Sequence, residues 1–182
     1  RELNDHINEE ASLDRVTRLM NRVSFEDKLL SSWSFSTQNR QWLVLVAVHV
    51  EHFAYFNEQR GAECGDDLLR EMARKIRTVL LDKEDCACRT SGGRFVIMFT
   101  GTEPMVNSQL ESLREKLSHI NVLDRYPAMG EVVRLSWGRV TLEPDTDRDP
   151  RGLIDRMFMH LVPLESTALC CREQKQSGGG NL

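Results

Sequence analysis

With 182 residues, 29% of them charged and 40% hydrophobic, the chain has the size and balance of one globular domain with a real core. Its formal net charge of -4 argues against the broad basic footprint of a nucleic-acid-binding protein. No apolar run approaches the roughly 20 residues of a membrane-spanning helix, no secretory signal pattern opens the sequence, and five cysteines without framework spacing suit a reducing cytoplasm.

In chain order, residues 1–13, "RELNDHINEEASL", read as a polar helix. Leu3, Ile7 and Ala11 form a thin stripe suited to a segment entering from an upstream module or pairing with a twin; a frayed leader is the other reading. "SFEDKLLSSW" predicts a short helix with Ser24 as N-cap and Asp27 three residues on. "WLVLVAVHV" (42–50) predicts a central strand covered on both faces. After a short polar stretch, Leu68, Leu69, Met72, Ala73, Ile76, Val79 and Leu80 mark a core-packed helix. "CACRT" and "RFVIMF" flank a Ser91-Gly92-Gly93 tip as a hairpin. Val106, Leu110, Leu113, Leu117 and Ile120 mark a third helix, and "VVRLSWGRVTL" a further strand. "RGLIDRMFMHLV" is a last helix, ended by Pro163. From residue 164 the periodicity disappears and the sequence reads as a flexible linker or tail.

Strand–helix units interrupted by a hairpin predict an α/β sandwich, a mixed sheet with helices packed on it. Cys86 and Cys88 fall on one side of their strand, while Cys170 and Cys171 are neighbours in the polar tail. With no C-x-x-C pair and no histidine cluster, the cysteines are expected to be buried or incidental thiols, not zinc ligands.

Four segments in register carry a resemblance. "DRVTRLMNR" (14–22) resembles D-x-L-T-G-L-x-N-R. "HVEHFAYFNEQRGAECGDDLL" (49–69) resembles D-x-D-x-F-K-x-x-N-D-x-x-G-H-x-x-G-D-x-x-L. "RTSGGRF" (89–95) falls where R-x-G-G-D-E-F belongs, and "LSWG" (135–138) resembles a later S-x-G strand. Together they cover about residues 11–161, and the chain resembles a GGDEF domain, the diguanylate cyclase module that joins two GTP molecules into cyclic di-GMP. The resemblance implies a nucleotide-cyclase palm-like sandwich with a central, mostly antiparallel sheet of about five strands flanked by helices. It divides the chain into an incoming helix (1–13), a degenerate GGDEF domain (14–163) and a tail (164–182).

The departures from that pattern set the functional expectation. An active member holds metal ions between an Asp at the end of the first strand and an acid of the hairpin signature. Here those positions carry His49, Gly93 and Arg94. Pairing Gly92-Gly93 directly with the family's Gly-Gly instead would put Arg94 and Phe95 at the acidic positions; neither register restores a carboxylate. Phosphoryl transfer rests on positioning and on charge neutralisation by metals, and Mg²⁺ requires oxygen donors. Mg²⁺ is therefore not expected and no residue is assigned as catalytic. Glu51 is the one acid left nearby, either a weak metal ligand or a solvated glutamate. Arg94 is either an ordinary exposed arginine or a fixed charge that holds a phosphate without metal.

Asn57 and Asp66 match the residues that read guanine in the family, so GTP is a candidate ligand; Asp66 near a helix start is also favoured for stability alone. Ala54 replaces a phosphate-side lysine, and Val162 stands where another lysine is expected. At the inhibitory product site, R-x-x-D becomes Asp82 and Asp85, so no such site is expected. The resemblance thus implies a catalytically inactive module in cyclic di-GMP signalling, acting on a protein partner or an adjacent EAL phosphodiesterase domain. The alternatives are a GTP-binding sensor, a residual cyclase and an RNA-turnover regulator. A homodimer through the N-terminal helix and a cytoplasmic place within a larger, membrane-anchored bacterial protein complete the expectation.

Overall fold

A computed structural model of the chain describes residues 11–120, 134–142 and 150–164. The aliphatic run at 42–50 forms β2 (Trp42–Val50), the centre of the sheet. Its β-branched residues suit a pleated surface buried on both sides. Val44, Val46, Val48 and Val50 point into one core layer, and Leu43, Leu45 and Ala47 into the other. Each such side chain contributes roughly 1.5–3 kcal/mol on full burial. Antiparallel neighbours flank it: β4 (Arg94–Gly101), in register from Trp42↔Gly101 to His49↔Arg94, and β5 (Leu135–Leu142) from Leu43↔Leu142 to Val50↔Leu135.

The sheet has six strands rather than five, in the order β1-β3-β4-β2-β5-β6. β3 (Cys86–Ser91) pairs antiparallel with β4, and β1 (Met20–Asn21) joins β3 in a parallel pairing. β6 (Val162–Pro163) lies antiparallel to β5. The two outer strands are two residues each, too short to leave an alternation in the sequence.

On one face pack α3 (Ala62–Arg77) and α4 (Glu103–Ser118), whose stripes are the ones the sequence marks. Ile120 lies beyond the end of α4 yet still packs against that core. On the other face lie α1 (Arg22–Asn39) and α5 (Pro150–Met157). Cys86 and Cys88 belong to this second layer, on one side of their strand as expected. α1 is capped by Asn21, not Ser24: the Ser24 N–H donates to Asn21 Oδ1 at 3.0 Å. It also runs past Trp33 to Asn39, because its buried stripe is Phe25, Leu29, Ser32 and Ser36, and the two serines end the apolar signal early.

The polar stretch after β2 is itself a helix, α2 (Phe53–Arg60), which buries only Phe53 and so shows no stripe. The last helix stops at Met157, not at Val162. Met159 N–H donates to the Arg156 carbonyl and His160 N–H to that of Met157, closing the final turn. Pro163 disfavours a helical Val162 and selects the extended form that pairs in β6. Leu164 donates its N–H to the Leu135 carbonyl at 2.9 Å and is buried. Of the polar leader, residues 1–10 lie outside the described residues, as do the tail from residue 165 and Cys170 and Cys171.

Asp85 ties the layers together. Its carboxylate accepts from the N–H groups of Leu81, Asp82 and Thr100, each at 3.0 Å, and from Gln109 Nε2 at 2.6 Å. It thereby joins the loop after α3, β4 and α4. Replacing it strands several buried donors, so Asp85→Ala is expected to lower stability by about 2–4 kcal/mol, measured by urea denaturation.

Candidate functional site

The site is built around the tip of the β3–β4 hairpin, where Gly92 adopts φ +47 and Gly93 is buried. The Gly93 carbonyl accepts the Val50 N–H at 2.8 Å, drawing the tip against the end of β2. A Cβ at residue 93 would lie 2.8 Å from Val50 Cβ and 3.0 Å from Phe53 Cβ. The glycine is therefore a steric requirement of this approach.

Arg89 holds the tip from the other side. Its Nε donates to the Gly92 carbonyl at 2.8 Å, and its guanidinium lies 3.3 Å from both oxygens of Asp14. Asp14 also accepts from the N–H and hydroxyl of Thr17, at 2.8 and 2.7 Å. Burial pushes the Asp14 carboxyl up, but the bonds from Thr17 and the charge of Arg89 outweigh it and hold the group below the usual carboxylate range.

His49, at the end of β2, sits between Arg94 on β4 and Ser136 on β5. Burial, then the positive charge of Arg94, lowers the His49 pKa, with Glu51 opposing. The Arg94 guanidinium carbon lies 5.3 Å from the centre of the Phe158 ring, just past α5. Among the described residues no carboxylate pairs with Arg94. The nearby Asp155 is taken bidentately by Arg22 at 2.8 and 2.7 Å, and Arg22 also donates to Glu26 at 2.7 Å.

These donors do not fit a pair of Mg²⁺ ions. Hard divalent ions need several oxygen ligands, and here an imidazole faces a guanidinium, with Glu51 close to His49 and Asp155 already held by Arg22. Among the described residues no three His, Cys, Asp or Glu side chains cluster as metal ligands.

The other end of the site lies where α2 meets α3. The Asn57 side chain rests on Gly65, where a Cβ would fall 1.8 Å from Asn57 Oδ1. That oxygen is buried without a hydrogen-bond donor among the described residues. Asp66 follows Gly65, with its side chain 38% exposed and its Oδ2 3.7 Å from the Arg70 guanidinium. The fold thus brings Asn57 and Asp66 to one junction. Ala54 is an exposed methyl on α2. Val162 does not extend from a helix toward a phosphate: it lies in β6 opposite Trp137 and packs against the core.

Asp82 is exposed and accepts the Glu84 N–H at 2.9 Å, while Asp85 is committed to the bonds described above. The thiols of Cys86 and Cys88 are buried, and burial pushes Cys86 up to about 12 and raises Cys88 further, so neither is a ready nucleophile. Phe158 has no signal in the sequence: one aromatic in an apolar run reads as core.

Comparison with known proteins gives a consistent result. The family model described as "Diguanylate cyclase, GGDEF domain" matches residues 11–162. A diguanylate cyclase of Vibrio cholerae is 25% identical over 118 residues, 64% of this chain and 36% of that protein. Diguanylate cyclase SiaD of Pseudomonas aeruginosa, solved in complex with its activator SiaC, superposes with a TM-score of 0.70 at 24% identity, covering 87% of this chain and 60% of that one. The S helix-GGDEF-EAL portion of Vibrio cholerae LapD, bound to c-di-GMP, gives 0.65 at 22% identity, over 86% of this chain and 35% of that one. The chain spans less than two thirds of each of these proteins. No helix among the described residues is long and apolar enough to cross a membrane.

Two predictions follow from the geometry of the tip. Gly93→Asp should cost about 1–3 kcal/mol through the collision with Val50 and Phe53, whereas exposed Arg94→Glu should cost under about 1 kcal/mol; thermal melts separate them. His49 has a folded pKa below its ordinary value near 6.5, so the unfolded chain takes up the proton first. Its contribution is present above about pH 6.5 and is lost as the pH falls through the window below that value. His49→Gln should flatten this part of a stability–pH profile.

Proposed function

Because the chain belongs to the GGDEF family of diguanylate cyclase domains, we propose that it is a catalytically inactive member serving as a regulatory or interaction module in cyclic di-GMP signalling. The observation that carries this reading is the cross-strand pair His49↔Arg94. Where charge on a triphosphate must be neutralised for in-line transfer, the site offers a largely neutral imidazole and a guanidinium, with no oxygen cradle for metal ions among the described residues. The tight seat of Gly93 supports the same reading, since an acid cannot be accommodated there without moving Val50 or Phe53.

An inactive module acts by what it holds. The S helix-GGDEF-EAL arrangement of LapD and the SiaD complex with SiaC support a role in contacting an adjacent EAL domain or a protein partner. A cytoplasmic location within a longer signalling protein accords with that role. A second reading, a domain that senses GTP, is favoured by Asn57 Oδ1, a buried acceptor awaiting a donor.

Incubation of the chain with GTP and either Mg²⁺ or Mn²⁺, followed by chromatography, is expected to give no cyclic di-GMP. Product that disappears on changing His49 or Glu51 would overturn the proposal.

A further inference from the structure

We infer that one edge of the domain docks on an anionic lipid bilayer. The contact is made by Arg15 and Arg18 on the turn before β1, by Arg77 at the end of α3 and by Leu81 beyond it. This goes beyond the reading above and does not depend on it.

The turn carries a strained arginine. Arg18 adopts φ +57, a left-handed conformation that glycine takes freely and a residue with a Cβ takes at a cost. The pattern D-x-L-T-G-L has its glycine at this position, and the conformation explains why; here the strain is borne by a cation. The Arg18 N–H closes the turn on the Asp14 carbonyl at 2.8 Å, and the residue is exposed, as is Arg15. Among the described residues neither of these two side chains makes a hydrogen bond or an ion pair. A backbone cost with no packing gain points to a use for the side chain.

Arg77 joins this turn to a second element: its guanidinium donates to the Thr17 carbonyl, which lies between Arg15 and Arg18 in the chain. The neighbouring acids are already engaged, Asp14 by Arg89 and Thr17, and Glu71 by Arg74. Four residues past Arg77, Leu81 is 76% exposed, and its N–H is pinned by Asp85, so the apolar side chain is held outward. Lys83 offsets the exposed Asp82 beside it. The chain as a whole carries a net charge of -4, so this gathering of cations is local. Each cation held against an anionic membrane strengthens binding about fivefold. The arginines project from separate segments, and fluid headgroups can meet them without matching their spacing. A protruding leucine gains by entering the boundary of the acyl chains. RNA calls instead for an aromatic stacking platform, and none of these side chains is aromatic.

Co-sedimentation of the 182-residue chain with vesicles of phosphatidylcholine alone, and of an equal mixture with phosphatidylglycerol, tests this. Binding is expected to the anionic vesicles only and should weaken as salt is raised. Arg15→Ala and Arg18→Gly should each weaken it about fivefold, and Leu81→Ser about tenfold. Arg18→Gly separates binding from folding: glycine relieves the turn, so the melting temperature should not fall while binding does. Equal binding to neutral vesicles, no binding to either, or unchanged binding by the Arg15→Ala, Arg18→Gly double variant would overturn the inference. Binding to single-stranded RNA at the same salt, with none to vesicles, assigns the patch to nucleic acid and overturns it too. None of these outcomes touches the inactive-module reading, which falls only if cyclic di-GMP is made.

Discussion

The approach of the hairpin tip to the end of β2 is the constraint on which the site depends. One hydrogen bond, from the Val50 N–H to the Gly93 carbonyl, closes a gap that leaves no room for a side chain at residue 93. That contact fixes where β4 begins, and hence that Arg94 stands across from His49. It also sets Phe53, the first residue of α2, beneath the tip, and through α2 it positions Asn57 against Gly65. At the tip, the backbone of Gly93 packs closely against Val50 and Phe53.

How much of this was legible in the sequence follows the length of each apolar pattern. The valine-rich run of β2 and the stripes of α3 and α4 extend over enough residues to declare both type and buried face. α2 buries a single residue, and the last turns of α1 bury serines, so neither could be read in full from hydrophobicity. The outer strands β1 and β6 owe their form to what they lie beside, which no local pattern encodes. For the site, the four motif segments singled out His49, Gly93, Arg94, Asn57 and Asp66, and the structure sets His49 across from Arg94 and Asn57 near Asp66. They could not reveal that Phe158 underlies Arg94 or that Val162 is sheet, because both depend on where the last helix stops.

The charges around the site are sorted by these placements. Asp14, Asp85 and Asp155 each look available in the sequence, and each is committed to a structural partner: Arg89, a set of N–H donors, and Arg22. The acids that remain close to the hairpin are thus mostly spoken for, while Arg94 keeps its donors. A site can change its electrostatic sign in this way without any change of fold, since the sheet register is set by the buried valines and not by the charged residues at its rim.

The two clamps on the N-terminal segment have a mechanical implication. Asp14 grips the hairpin through Arg89, and Arg22, a few residues later, grips α5 through Asp155. The stretch between them spans the two walls of the site, like a strap buckled at both ends. Torque delivered to the backbone ahead of Asp14 would be shared between the strand that carries Arg94 and the helix that leads to Phe158. The segment from Asp14 to Arg22 is therefore mechanically joined to both the hairpin and α5.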